Sequence, residues 1–134
     1  DLDLTMKPDG EAEENTETTA IVGSVLWEGN WRGGVTLHFD NRLARLAAAK
    51  IFGLDLNTLE TEDVHDAVGE LSNQVAGLIK GSLAPTGGSL SLPTIAEGQE
   101  LNVDIPHCHL IGTTTLESSG AFLRIKVWEY IPKT

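Results

Sequence analysis

Apolar positions along the chain follow two different periods, and the changes between them divide it into elements. β-Branched and aromatic residues crowd "TAIVGSVLW" (19–27) and "RGGVTLHF" (32–39) on either side of the turn cluster "EGN", which predicts a β-hairpin. The spacing then becomes helical in "DNRLARLAAAKIFG". Leu43, Leu46, Ala47 and Ile51 share one face, Asp40 or Asn41 can cap the start, and Gly53 can end the helix. A polar connection, "LDLNTLETED", leads into a long helix over roughly 61–82, with Thr61 as candidate N-cap, Glu62 and Asp63 in the first turn, and Gly81 and Pro85 marking its end. "GGSLSLP", ending at Pro93, then "QELNVDIPH" and "HCHLIGTTTLES" read as strands. "GAFLRIKVWEYI" alternates strictly, with Phe122, Arg124, Lys126 and Trp128 on one side and Leu123, Ile125, Val127 and Glu129 on the other. The order strand–strand–helix–helix–strands predicts an α+β fold, an antiparallel sheet with helices packed on it.

The long helix has two contrasting faces. Stepping about 100° per residue from Val64, the residues Val68, Leu71, Val75, Leu78 and Ile79 form the expected buried stripe. Asp66, Glu70, Asn73 and Gly77 gather on the opposite side, with Glu70 and Asn73 as i, i+3 neighbours. A solvated surface accounts for acids in such a place. Two features point to a partner instead. The face is no ladder of Glu and Lys, the usual filler of exposed helices. It also holds Gly77, which costs about 1 kcal/mol relative to Ala in a helix interior and leaves a flat spot for close approach.

Composition narrows the partner. The chain has 134 residues, one ordinary domain, and 40% of them are apolar, enough for a real core. Its net charge of −11 argues against nucleic acid and against an anionic membrane surface. Much of that charge is local: residues 1–18 hold seven acids against Lys7 and read as an acidic tail or linker before a single domain at 19–134. Within the tail "DLDLTM" alternates and can pair as a short strand. Cys108 is the only cysteine, which excludes an intrachain disulfide and fits a reducing, cytoplasmic setting. No apolar run approaches the roughly 20 residues needed to span a bilayer, and no signal peptide is visible.

Other chemistry is thinly supported. "PHCHL" puts His107 and His109 on one face of a strand, but no second cluster supplies the three or four ligands a zinc site needs, so no metal is expected. Trp27 and Trp31 flank the hairpin turn as packing residues. "APTGGS" lacks the Lys and the spacing of a phosphate-cradling loop. No convincing Ser–His–Asp set is present.

The stretch "DAVGELSNQVAG" resembles the signature of the CheC/CheX/FliY family of response-regulator phosphatases: an Asp or Ser, three residues, Glu, two residues, Asn, and a Pro about twenty residues on. Asp66, Glu70, Asn73 and Pro93 stand at these positions, and the likeness extends through "WRGGVTLHF", "AAKIFG" and the final strands, roughly residues 19–131. Asn73 is the only Asn in the chain with a Glu three residues before it, so the sequence looks CheX-like, with one site per chain, rather than CheC-like, with a doubled one. The resemblance implies a phosphatase acting on the aspartyl phosphate of a CheY-like receiver domain. Asn73 would orient the attacking water, and Glu70 would pair with the receiver's active-site Lys. Asp66 would support the docking, and Gly77 extends the face on which a partner sits. Mg²⁺ is expected in the receiver, with no cofactor on this chain, and a homodimer is implied. A non-catalytic module that docks a receiver or an assembly partner through the same face is the alternative. Two departures stand out. Segment 1–18 cannot supply the long amphipathic helix with which family members usually begin, and the interval from Asn73 to Pro93 is slightly short.

Overall fold

Strand and helix meet at Asp40 in the computed structural model, which describes residues 5–7, 19–29, 31–83, 88–99 and 103–132. The predicted hairpin is β2 (Ala20–Glu28) and β3 (Gly33–Asp40), following a short β1 (Thr5–Lys7). Two helices come next, α1 (Asn41–Phe52) and α2 (Thr61–Leu83), linked by a single 3-10 turn at Leu56–Thr58. Four strands complete the order: β4 (Ser89–Leu90), β5 (Thr94–Gly98), β6 (Cys108–Ser118) and β7 (Ala121–Tyr130). All seven strands form one antiparallel sheet in the order β1-β6-β7-β3-β2-β4, with β5 also on β2.

The alternation along the strands sorts the sheet into two faces. Ile21, Val25, Val35, Leu37, Phe39 and Leu123 point toward the helices and join Leu43, Ala44, Ala48, Val64, Ala67 and Val68 in one core. On the other face Val22, Thr36, His38 and Trp128 are buried as well. Trp128 Nε1 donates to Thr36 Oγ1 at 3.0 Å, so the indole is satisfied there. The connection from β5 to β6 has to pass from the β2 edge to the far side of β7. Ile105 on that connection lies over Gly34, where an added Cβ would come within 2.5 Å of its Cδ1. The crossing chain therefore covers part of the face that carries no helix among the described residues.

Several expectations need correction. "GGSLSLP" is not one strand. β4 stops at Leu90, Ser91 hydrogen-bonds Leu26 through both its backbone N–H and its hydroxyl, and pairing resumes only after Pro93, which has no N–H to give the ladder. "QELNVDIPH" is not a strand over its described part, residues 99 and 103–107. It ends in a turn at Pro106 and His107, whose φ of 63° lies in the left-handed region. His107 therefore does not share a strand face with His109. Leu78, on the expected buried stripe, is 75% exposed, and Ile51, on the same predicted face as the buried Leu43 and Ala47, is 42% exposed. The helices lie on the core through small residues, Ala44, Ala47 and Ala48 in α1 and Ala67, Ser72 and Ala76 in α2, which turns the larger side chains at the stripe margins outward. At the start of α2, Thr61 is already helical, and Asp63 accepts the Glu60 backbone N–H at 2.9 Å. Within the acidic segment Thr5–Lys7 pair with β6, Met6 opposite Leu116. Residues 8–18 and Pro85 lie outside the described residues.

Candidate functional site

The exposed side of α2 is held in place from beneath. Gly23 on β2 faces Ser72, and a Cβ there would stand 3.1 Å from both Ser72 Cβ and Val68 Cγ1, nearer than side chains normally approach. The absent side chain lets α2 lie directly on the strand. One turn earlier, the ring of Pro93 sits over Gly69, 3.4 Å from where a Cβ would be. At the helix start His65 Nε2 and Glu97 Oε2 are 2.9 Å apart, tying α2 to β5. The contacts to Gly69 and Ser72 fall on the residues just before Glu70 and Asn73.

Above this bed the predicted face is present. Asp66, Glu70 and Gly77 are exposed and Asn73 is partly buried, on one side of the helix. Glu70 Oε1 accepts from Gln74 Nε2 at 3.1 Å, an i, i+4 bond that holds the carboxylate along the helix surface. The Asn73 amide has no hydrogen-bond partner among the described residues, so within them both its donor and its acceptor are open. A Cβ on Gly77 would meet nothing, so no internal contact requires that glycine. Beside Glu70 a groove of about 580 Å³ is lined by Ile51, Phe52, Asp66, Glu70, Leu71 and Gln74.

An exposed carboxylate and a free amide one helical turn apart suit binding a cation and orienting a small polar molecule.

The remaining candidates stay outside this site. Trp27 and Trp31 stack with centroids 5.1 Å apart, and Trp31 Nε1 donates to Glu129 Oε2 at 2.6 Å, which is a packing arrangement. Burial pushes the Cys108 thiol up, against a smaller opposing effect of Arg32, so the thiolate is disfavoured. His109 Nε2 lies 3.5 Å from Glu129 Oε1. Among the described residues no three His, Cys, Asp or Glu side chains converge as metal ligands, and no helix is long and apolar enough to cross a membrane. Sequence reasoning missed Gln74, which the i, i+4 spacing from Glu70 would have found. It also missed Gly23 and Ser72, whose partnership depends on how β2 and α2 dock.

Residues 21–114 match the family of chemotaxis phosphatase CheX. No curated protein matches the chain in sequence. Among solved structures, the chemotaxis protein CheX from Vibrio vulnificus superposes with a TM-score of 0.73 at 23% identity, over 94% of this chain and 82% of that one. A chemotactic CheC-like protein from Shewanella oneidensis gives 0.71 at 22% identity, over 94% and 84%. CheX from Borrelia burgdorferi, solved as a CheX–CheY–BeF3–Mg²⁺ complex, gives 0.70 at 14% identity, over 97% and 84%. At these identities the likeness establishes the shared fold.

Proposed function

The chain belongs to the chemotaxis phosphatase CheX family, and from that premise we propose that it accelerates hydrolysis of the aspartyl phosphate on a CheY-like receiver domain. The observation that carries this reading is the Asn73 amide, without a hydrogen-bond partner among the described residues and one turn from Glu70, on an outward face braced from below by Gly23 and Pro93. The neighbour solved with CheY and BeF3–Mg²⁺ supports a receiver as the partner class.

An acyl phosphate is already activated, and the receiver brings its own Mg²⁺ and Lys. What remains to be supplied is a water held in line with the phosphorus. The amide of Asn73 accepts a hydrogen bond from that water and donates to a phosphoryl oxygen, with no charge to repel the phosphate. Water attacks phosphorus, the P–O bond to the receiver aspartate breaks, and inorganic phosphate and a free carboxylate result. Glu70, aligned by Gln74, pairs with the receiver Lys and fixes the register. Asp66 adds negative charge one turn earlier, and Gly77 leaves room for the receiver backbone. This work is done in the cytoplasm, where the receiver is found, and by a homodimer. The stretch of β6 before its pairing with β1 offers the exposed Leu110 and Ile111 for the dimer contact.

The test is the decay of a phosphorylated, Mg²⁺-loaded receiver with and without this protein. Decay should quicken with the wild type and fall back by about 100-fold, the scale of a lost positioning contact, with Asn73→Ala. Unchanged decay with wild type, together with binding of the phosphorylated receiver, would leave a docking module in place of a phosphatase.

A further inference from the structure

Helix α1 ends in a way its own packing does not ask for. It turns Ala44, Ala47 and Ala48 to the core, together with Leu43, and leaves Ile51 and Phe52 each 42% exposed in its last turn. Folding alone favours the reverse, since burying Ile or Phe contributes far more than burying Ala. Gly53, at φ 64°, stops the helix immediately afterwards, with its N–H on Ala49 O, so these two side chains are fixed on the final turn. They form one wall of the groove whose other wall carries Asp66, Glu70 and Gln74, with Leu71 between. Leu54 and Leu56, 39% and 43% exposed, line a separate depression with Leu46, Ala49 and Lys50 and are not part of this groove.

Resting on the function proposed above, we infer that this groove is the second half of the receiver-docking surface: it takes an apolar side chain of the phosphorylated receiver, with Ile51 and Phe52 as the specificity-determining wall. Continuity selects this occupant. Glu70 belongs both to the water-positioning face and to the groove, so a receiver whose Lys reaches Glu70 has to lie over Ile51 and Phe52. Charge agrees with that placement. The apolar wall faces Asp66 and Glu70, which suits a partner presenting an apolar side chain next to a cation and disfavours one presenting an acid. The division of labour follows from the geometry. Asn73 acts on the water, and the groove acts on the bound register without touching the reacting atoms.

Initial dephosphorylation rates across receiver concentrations, together with the Kd for the same receiver loaded with Mg²⁺ and beryllofluoride, read the two parts separately, because KM follows binding where chemistry is slow. Phe52→Asp should raise KM and Kd at least tenfold while kcat stays within twofold. Phe52→Ala should move both the same way by a smaller factor, and it guards against a folding defect in the charged variant. Asn73→Ala should instead lose kcat and keep Kd. A wild type that accelerates decay while both Phe52 variants keep KM and Kd within twofold would overturn the groove assignment and leave the phosphatase reading standing. A wild type that neither binds nor accelerates would remove both. If light scattering showed Phe52→Asp turning a dimer into a monomer with KM unchanged, the groove would belong to a second copy of this chain, and the inference would fall.

Discussion

Gly23 on β2 and Ser72 on α2 approach so closely that no side chain fits between strand and helix at that level. Ser72 directly precedes Asn73, so the depth at which α2 sits on the sheet sets how far the amide projects. Gly23→Ala must push Ser72 and Val68 outward. Overpacking of this kind costs about 1–3 kcal/mol. A urea or guanidinium midpoint measures that loss, and a fall in phosphatase rate beyond the loss of folded protein would report displacement of Asn73. A variant with wild-type stability and rate would show that the helix seat is not set by this contact.

Asp40 supports a second prediction. It is 1% exposed, ends β3, and its Oδ1 accepts the Arg42 backbone N–H at 3.0 Å, capping α1. The Arg42 guanidinium reaches Asp40 Oδ2 at 2.6 Å and Gly120 O at 3.2 Å. Losing such a cap costs about 1–2 kcal/mol, whereas the half-exposed Arg42 contributes at most about 1 kcal/mol through its ion pair. Asp40→Ala should therefore destabilise the protein more than Arg42→Ala does. Thermal or denaturant unfolding of the two variants gives the order, and the reverse order would show that leaving the buried Asp40 carboxylate without its guanidinium costs more than removing cap and pair together.

What could be read in advance followed the local signals. The hairpin, both helices and the last two strands rest on periodicity and on punctuation at Asp40 and Gly53, all contained within a few residues. The row Asp66–Glu70–Asn73–Gly77 was legible for the same reason, because helical spacing alone puts those residues on one side. The misses involve distant partners. Leu78 has an apolar side chain and nearly the right angle, yet α2 rolls toward Ser72 and Ala76 because Gly23 lies beneath it. Residues 103–107 have strand-like composition, but they cross from one edge of the sheet toward the other and cannot join the ladder on the way. The groove beside Glu70 exists only once α1 and α2 are side by side.

His38 gives a pH dependence with a definite sign. It is 2% exposed, its Nε2 has no partner among the described residues, and its pKa is lowered from 6.5 to about 4. Burial is the largest cause, with Lys126 and Arg124 adding to it and Asp104 opposing. The unfolded chain takes up this proton at its ordinary value and the native state does not, so unfolding absorbs a proton between the two. The His38 effect is therefore absent above the unfolded value and destabilises increasingly as pH falls toward the folded one, by about 2 kcal/mol near pH 5 and about 3 kcal/mol below both values. Unfolding free energies at about pH 7.5 and pH 5 should differ by more in the wild type than in His38→Gln, which keeps a polar side chain but does not titrate. Equal pH dependence in the two proteins would show that His38 takes up its proton at the same pH in the native state as in the unfolded chain.

Gly77 separates stability from function. It lies inside α2, a Cβ there would meet nothing, and the helix would be about 1 kcal/mol more stable with alanine. Gly77→Ala should raise the thermal midpoint by roughly 3–5 °C, the shift such a gain gives a domain of this size. The same methyl group would stand on the docking face one turn after Asn73, where the receiver backbone is proposed to lie. KM for the phosphorylated receiver should therefore rise several-fold while the protein becomes harder to unfold. A glycine with no role toward a partner predicts a higher midpoint with KM unchanged, so a gain in stability together with a rise in KM is the signature of a glycine retained for its partner. Higher stability with an unchanged KM would remove Gly77 from the docking face and confine the receiver to the Glu70–Asn73 end of α2.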